Sequence, residues 1–177
     1  MHSYPHLLNE AFWPWGPIHA RFRPLVRLPP AAPVAHVNIV PRMGDQWVMM
    51  STDGEAWDLP GGTLEPGESV LTAARRELIE ELGAELLEHR VLGAWRCHSL
   101  AAKPYRPHLP HPDFLRVVLV GQVQLAGPPT NPEGGEDVVA VEAVLLAEAV
   151  RRFEACGRRE LADLYRLAAA QCGVADD

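Results

Sequence analysis

The sequence predicts an α/β (α+β) protein, arranged as an α/β/α sandwich around a mixed β-sheet. Two observations lead to this prediction. β-Branched runs typical of strands come before and after one central segment of helical periodicity, and two more helical segments close the chain. Helices on both faces of a sheet bury the apolar side of every such element, so the layered arrangement follows from the element order.

The first strands are predicted where β-branched residues cluster. Residues 34–40 and 46–51 form two such runs, and Gly44-Asp45 between them is a turn signal that indicates a hairpin or meander. Three further strand candidates follow the central helical segment, at residues 90–99, 114–125 and 137–146. The predicted strands of the sheet therefore come both before and after the central helix in the sequence.

Two helices are predicted near the C-terminus, at residues 147–156 and, after Gly157, at about 159–171. The second carries apolar residues at helical spacing, and these would form its buried face: Leu161, Leu164, Tyr165 and Ala168. Both helices would then cover the sheet.

Residues 1–33 are rich in proline and aromatic residues and show little regular periodicity. We therefore expect an N-terminal arm at 1–33 and a main domain at 34–177. The arm would pack over the core or lie along a partner subunit of a homodimer. Alternatively, its aromatic side chains would stack on a base or shape a pocket. They are Phe12, Trp13, Trp15 and Phe22.

Composition excludes several classes of protein. A hydrophobic content of 47% and a charged content of 22% are typical of soluble globular domains. No apolar run is long enough for a transmembrane helix, so no membrane association is expected. The net charge of −7 argues against a nucleic-acid duplex as partner, but leaves nucleotides open. The three cysteines are widely spaced, which favours free thiols and a cytoplasmic location.

The segment from Gly61 to Gly83 contains a carboxylate cluster, Glu77, Glu80 and Glu81, directly after Arg76. On a helix of about 100° per residue, the apolar residues of this segment cover an arc of about 120°. Glu81 falls inside that arc, Glu77 lies at its border, and Glu80 lies further out. A carboxylate on the buried side of a helix needs a partner, because burying an unpaired charge is costly.

A divalent metal ion is one partner that such a cluster would bind. Clustered carboxylates with few cations suit a hard ion such as Mg²⁺ or Mn²⁺, which prefers oxygen ligands. The alternative is a solvated charged helix with ordinary Glu–Arg pairs. The preceding loop favours the metal site, because Gly61, Gly62 and Gly67 let the backbone approach an ion or a phosphate closely.

The segment resembles the sequence box of the Nudix hydrolases. The fixed positions of that box are filled at the family spacing by Gly62, Glu68, Arg76-Glu77, Leu78, Glu80-Glu81 and Gly83, with Ala84 at the closing aliphatic position. The lead-in Trp57-Asp58-Leu59-Pro60-Gly61 is also similar. The surrounding element order extends the resemblance to roughly residues 34–155, and it implies the Nudix fold, an α/β/α sandwich with a mixed sheet.

The resemblance implies metal-dependent hydrolysis of a nucleoside diphosphate linked to another group. Glu77 and Glu81 would bind the metal, Glu80 would complete the cluster, and the Gly61 carbonyl would be a further ligand. Glu68 and Arg76 would pair and so orient the helix against the loop. The general base would be Glu80 or a residue of a loop nearer the C-terminus.

Two segments outside the box are candidates for further contacts. In the segment from His98 to His111, Lys103 and Arg106 would clamp phosphate and Tyr105 would stack on a base, unless this is simply a solvent-facing loop. In the glycine-rich loop at 132–137, the resemblance to the Nudix hydrolases implies that Glu133 or Glu136 supplies an additional metal ligand or the base. An acidic turn in solvent is the alternative.

Two other functions stay open at this stage. A Nudix-fold sensor would bind a nucleotide without hydrolysing it, although the intact box counts against that alternative. An isomerase of isoprenyl diphosphate would need a catalytic cysteine, for which Cys97 is the only candidate near the sheet. The sequence assigns neither the base of the substrate nor the group linked to its diphosphate.

Overall fold

A computed structural model of the protein describes residues 3–135 and 137–173. The helices and strands in chain order are α1 (Pro5–Leu8), β1 (Glu10–Trp13), β2 (Ile18–Pro24), β3 (Val34–Met43), β4 (Gln46–Ser51), β5 (Gly61–Thr63), α2 (Val70–Glu77), a π-helical segment (Leu78–Leu82), β6 (Ala84–Ser99), β7 (Asp113–Leu125), β8 (Ala140–Val144), α3 (Leu146–Ala155) and α4 (Arg159–Cys172).

One mixed sheet organises the described part of the chain. Its strand order is β1-β2-β6-β7-β3-β4-β8, with β5 paired to β3 outside this path. Strands β3 and β7 run parallel, whereas the other pairs are antiparallel. The predicted fold class, a mixed sheet combined with helices, is therefore confirmed.

Two apolar clusters lie on opposite faces of the sheet. Alternate residues of β3 face opposite ways, and Val37 and Ile39 pack with the α2 side, where Leu78 and Leu82 are buried. The other cluster lies beneath α3 and α4. All four residues predicted for the apolar face of the last helix are buried in it: Leu161, Leu164, Tyr165 and Ala168. None of the helices in the described ranges could cross a membrane, because none is long and apolar enough.

The N-terminal region contains regular structure that the sequence analysis does not predict. Strand β2 pairs with β6 from Ile18 opposite Ser99 to Pro24 opposite Gly93, so it belongs to the main sheet. Buried and exposed residues alternate along β2, with Ile18, Ala20 and Phe22 buried. This period-two pattern is present in the sequence, but the surrounding prolines and tryptophans obscure it. The division of the chain at residue 34 stays a prediction.

Several element boundaries differ from the predictions. Strand β6 begins at Ala84 rather than residue 90, and β8 is confined to Ala140–Val144 within the predicted 137–146. The central helix is also not one α-helix. Helix α2 ends at Glu77, and the chain continues as the π-helical segment until Gly83 closes it in the left-handed conformation (φ 62°). Single π turns inside helices occur frequently at functional sites.

Candidate active site

The buried carboxylates of the box lie against the loop that precedes them. Glu77 and Glu81 are only 7% and 9% exposed. The backbone N–H of Gly61 donates a hydrogen bond of 2.8 Å to Oε2 of Glu81. The helical projection therefore predicted the buried side of this helix correctly, and the carboxylate that it places deepest in the apolar arc contacts the first residue of β5.

Two glycines make this close approach sterically feasible. A Cβ atom at Gly62 would coincide with the Glu77 carboxylate, and a Cβ atom at Gly61 would collide with the Val37 carbonyl and with Asn38. Any larger residue at these two positions of β5 would clash with its neighbours, so both must be glycine. As a result, the carboxylate oxygens lie directly beside the β5 backbone.

Arg76 connects the loop to the helix. Its Nε and Nη2 atoms donate to the two oxygens of Glu68, at 2.9 and 3.0 Å, and Nη2 also donates to the Thr63 carbonyl at 3.2 Å. Its Nη1 atom contacts Oε1 of Glu77 at 2.7 Å and Oε2 of Glu80 at 3.2 Å. The Glu68–Arg76 pair is therefore present, with the bidentate geometry that only arginine provides.

These contacts shift the ionisation of the cluster. Burial raises the pKa of Glu77, and the negative charges of Glu80 and Glu68 raise it further, although Arg76 opposes the shift. Hydrogen bonds from Arg76 lower the pKa of Glu68. Those bonds in turn raise the pKa of Arg76. One guanidinium thus contacts three carboxylates, and the pKa of Glu77 is raised despite its contact with Arg76.

The donor set fits a hard divalent cation. Glu77, Glu80 and Glu81 offer only carboxylate oxygens, and the glycine pair leaves room for the backbone of Gly61 beside them. Within residues 3–135 and 137–173, no three acidic, histidine or cysteine side chains converge in the arrangement of a metal site. The hydrogen bonds give the reason: Arg76 attracts Glu77 and Glu80, while the Gly61 N–H contacts Glu81.

The cationic segment predicted to bind substrate lies on the surface near the box loop. Arg106 forms an exposed ion pair with Glu65, at 2.8 Å, and its guanidinium lies 5.9 Å from the ring centre of Tyr105. Tyr105 is 84% exposed, and Lys103 is exposed as well. His108 Nε2 donates to the Leu64 carbonyl at 2.8 Å, which fastens the segment to the box loop. Phosphate binding by these residues stays a prediction.

The acidic loop predicted to assist the site lies next to Glu80. The N–H groups of Thr130 and Asn131 donate to the Glu80 carbonyl, at 3.0 and 3.2 Å. Glu133 follows in the same loop and is exposed. Glu136 lies outside the described residues.

A cavity of about 420 Å³ begins at the box and extends along the sheet. Glu81 and Gly61 line it together with Asn38, which pairs with Gly61. His36 lies two residues before Asn38 in β3 and therefore on the same face of the sheet. It is paired with Arg116 of β7. Arg116 also lines the cavity, and its guanidinium lies over the rings of two further lining residues, Trp13 and Trp15.

Arg116 is held by aromatic rings and by one histidine. Its guanidinium lies 5.1 Å from the ring centre of Trp13 and 5.8 Å from that of Trp15, and Nη2 donates to His36 Nε2 at 3.0 Å. Burial and the positive charge of Arg116 hold the pKa of His36 well below its usual value, so the ring is neutral and accepts this bond. Burial also lowers the pKa of Arg116.

Most of this cavity is not predicted from the sequence. Of its lining residues, only Trp13, Trp15, Gly61 and Glu81 are predicted to contact a ligand or a metal ion. Arg116 is a single cation in the apolar run Leu115–Val120, and His36 and Asn38 alternate with apolar residues in β3. A polar residue on one face of a strand that is otherwise buried needs a partner, and that signal was available.

Comparison with known proteins agrees with the geometry. The profile of the NUDIX domain family matches residues 33–165. The chain therefore belongs to the NUDIX domain family. A Bacillus subtilis (strain 168) protein, YtkD, provisionally named an 8-oxo-dGTP diphosphatase, is 34% identical over 61 residues, which are 34% of this chain. The chain spans only 39% of the length of that relative.

Solved structures share the fold. A NUDIX hydrolase from Nitrosomonas europaea is 23% identical with a TM-score of 0.56, and the similarity covers 79% of this chain and 90% of that one. The Bacillus subtilis pyrophosphohydrolase BsRppH is 17% identical with a TM-score of 0.54, over 77% of each chain. An ADP compounds hydrolase is 23% identical with a TM-score of 0.52, over 79% of this chain and 75% of that one.

Proposed function

We propose that this Nudix hydrolase depends on Mg²⁺ or Mn²⁺ and cleaves the diphosphate linkage of a nucleoside diphosphate joined to another group. The observation that carries the proposal is the burial of Glu77 and Glu81 against the Gly61-Gly62 backbone. Such an arrangement has a cost for folding, since the pKa of Glu77 is raised by burial and by neighbouring charges. A bound cation would offset that cost.

Glu77 and Glu81 would hold the metal, with Glu80 and the Gly61 carbonyl as further ligands. When bound, the metal ion neutralises charge on the phosphate oxygens and makes a water molecule more acidic. Arg76 is a positioning residue. Its hydrogen bonds to Glu68 and to the Thr63 carbonyl hold the box loop against the helix.

Glu80 is our candidate for the general base. Its side chain is 26% exposed, more than that of Glu77, so water can reach this carboxylate without a change in the helix. The loop that donates to the Glu80 carbonyl offers Glu133 or Glu136 as an alternative base or an additional ligand. Both alternatives accept a proton at a carboxylate oxygen.

The proposed substrate is a nucleotide-type small molecule, and neither a nucleic-acid duplex nor a membrane. The name of the YtkD relative supports a nucleotide. Lys103 and Arg106 stay candidates for phosphate contacts, and Tyr105 for stacking, because their segment adjoins the box loop; Arg106 would have to release Glu65. A cytoplasmic location and a homodimer are further parts of the proposal, the former supported by three free cysteines.

A substrate panel tests the proposal directly. Nucleoside diphosphate derivatives and triphosphates are incubated with Mg²⁺ or Mn²⁺, and phosphate or pyrophosphate release is measured for wild type, Glu81→Gln and the exposed control Glu85→Gln. We expect turnover in wild type and control, and a loss of about 10²-fold or more in Glu81→Gln. Tight nucleotide binding without hydrolysis under any metal would instead support the sensor alternative.

A further inference from the structure

The cavity at the box has an aromatic wall that comes from outside the matched family region. Trp13 ends β1 and Trp15 lies in the turn before β2, whereas the family profile begins at residue 33. Both tryptophans line the same cavity as Gly61 and Glu81. A ligand whose phosphates lie at the box therefore meets a surface that the N-terminal hairpin of this chain adds.

This wall has the geometry of a stacking platform. The two indole rings are 5.7 Å apart between centres and inclined by 14°, so they are parallel and stacked. Trp13 is further held by Trp95, with ring centres 6.1 Å apart. Trp15 is 69% exposed, so much of its ring surface is open to a ligand. An exposed indole face held by a second ring is a surface on which a planar base stacks.

A buried polar side chain lies between the box and this wall. Asn38 is 7% exposed and lines the cavity. Its side-chain amide makes no hydrogen bond to any residue in the described part of the chain. The amide is therefore available to hydrogen-bond with a ligand in the cavity. The amide has both a donor and an acceptor to offer.

Arg116 contributes hydrogen-bond donors, and no acceptor, to the lining of the cavity. No carboxylate among the described residues forms an ion pair with it, and its Nε atom is buried without a hydrogen-bond partner there. The nearby carboxylate of Asp58 is engaged by Arg158, at 2.7 Å, and by the Leu59 N–H, at 2.8 Å. The N–H groups of a guanidinium can only donate, so a ligand group that hydrogen-bonds to Arg116 must be an acceptor.

We propose that Trp15, Asn38 and Arg116 form a base-binding subsite that selects 6-oxopurine nucleotides over 6-aminopurine nucleotides. A 6-oxopurine presents two adjacent acceptors, O6 and N7, which match an arginine, whereas a 6-aminopurine presents an amino donor beside N7. Trp15 supplies stacking that is common to all bases, and Asn38 pairs with a donor–acceptor edge. This inference rests on the proposed nucleotide substrate, but it does not require that the substrate be hydrolysed.

Equilibrium binding of non-hydrolysable ligands tests the subsite. The α,β-methylene analogues of guanosine and adenosine 5′-diphosphate are titrated calorimetrically with Mg²⁺ present, and methylenediphosphonate serves as the base-free ligand. We expect the guanosine analogue to bind wild type about tenfold more tightly than the adenosine analogue. Trp15→Ala should weaken both nucleotides about tenfold and leave methylenediphosphonate unchanged.

Two further variants sharpen the test. Arg116→Met should remove the preference between the two nucleotides, and circular dichroism decides whether that variant is folded. The exposed control Val26→Ala, which lies outside the cavity, should bind all ligands as wild type does. Equal wild-type affinity for the two analogues overturns the proposal, whatever Arg116→Met does. An equal loss of all three ligands in Trp15→Ala overturns it too. Failure of hydrolysis alone would contradict only the proposed function.

Discussion

The backbone N–H of Gly61 donates to the carboxylate of Glu81, 2.8 Å away and twenty residues later in the chain. This bond joins the start of β5 to the π-helical segment, and it lies at the border between the box and the cavity. Through this hydrogen bond, the position of the Glu81 carboxylate, a proposed metal ligand, depends on the backbone of Gly61, a residue without a side chain. The first prediction concerns that glycine pair.

Gly62→Ala should lower activity strongly. The new Cβ would coincide with the Glu77 carboxylate, so either β5 or Glu77 must move. We expect kcat to fall about 10²-fold or more, because misplacing a catalytic group by an ångström has effects of that size. We would measure kcat by steady-state turnover and check by thermal unfolding that the variant is folded. Gly127→Ala is the matched control, since nothing lies within 4 Å of its added Cβ. Wild-type kcat in Gly62→Ala would refute the steric explanation.

Arg76→Met should destabilise the protein. The variant loses four carboxylate contacts and the bond to Thr63, and leaves Glu68, Glu77 and Glu80 without a cation. We expect the free energy of unfolding to fall by about 1–3 kcal/mol, measured by urea denaturation. Arg76→Lys should be intermediate, because lysine restores the charge but not the bidentate geometry.

The control for this prediction is Arg151→Met. Arg151 forms an exposed ion pair with Glu148 within α3, and its loss should leave the unfolding midpoint unchanged. Equal midpoints for Arg76→Met and wild type would show that the Arg76 network does not stabilise the fold.

Stability should fall between pH 7.5 and pH 5 in a way that depends on His36. The pKa of His36 is depressed in the folded state by burial and by Arg116. Between that depressed pKa and the usual value near 6.5, the unfolded chain binds a proton that the folded chain does not. The contribution of His36 to stability is therefore present above about pH 6.5 and is lost as the pH falls, by at most about 1.4 kcal/mol per pH unit.

His36→Gln removes this titration while keeping an acceptor for Arg116. Urea denaturation at pH 5, 6 and 7.5 should give a shallower dependence of stability on pH in His36→Gln than in wild type. His89→Gln, an exposed histidine outside the cavity, should keep the wild-type slope. Identical slopes in His36→Gln and wild type would mean that His36 titrates normally.

Mg²⁺ should stabilise the protein through the box carboxylates. A ligand that binds only the folded state adds about 2.7 kcal/mol at a hundredfold excess over its Kd, so the unfolding temperature should rise with Mg²⁺ and return on chelation. Glu81→Gln should lose most of that rise, whereas Glu85→Gln, exposed on β6, should keep it. A rise of equal size in both variants would place the stabilising ion elsewhere.

The box was predictable because its signal is local. The 3.6-residue period alone places Glu81 on the buried side of the helix, and the structure has it 9% exposed. The switch from α2 to a π-helix was not predictable, because a change of hydrogen-bond register leaves no mark in the side-chain pattern. It follows Glu77 directly and contains Glu80 and Glu81, so it contributes to where these carboxylates point.

The cavity was harder to predict because its residues meet only in three dimensions. His36 and Arg116 lie 80 residues apart in the chain and are neighbours through the parallel pairing of β3 and β7. The positive charge of Lys103 and Arg106 was read as a substrate contact, but charge alone does not say which way a loop faces. Arg106 pairs with Glu65 on the surface, and phosphate binding by this segment stays a prediction.

The pairing of β2 with β6 has a practical consequence for any shortened form of the protein. A chain trimmed to the matched residues 33–165 would leave β6 as an exposed edge from Gly93 to Ser99. Open strand edges pair with other chains and aggregate. The trimmed protein would also lack Phe22 of the core and both Trp13 and Trp15 of the cavity. Low solubility and weak nucleotide binding would then reflect the trimming rather than the properties of the enzyme.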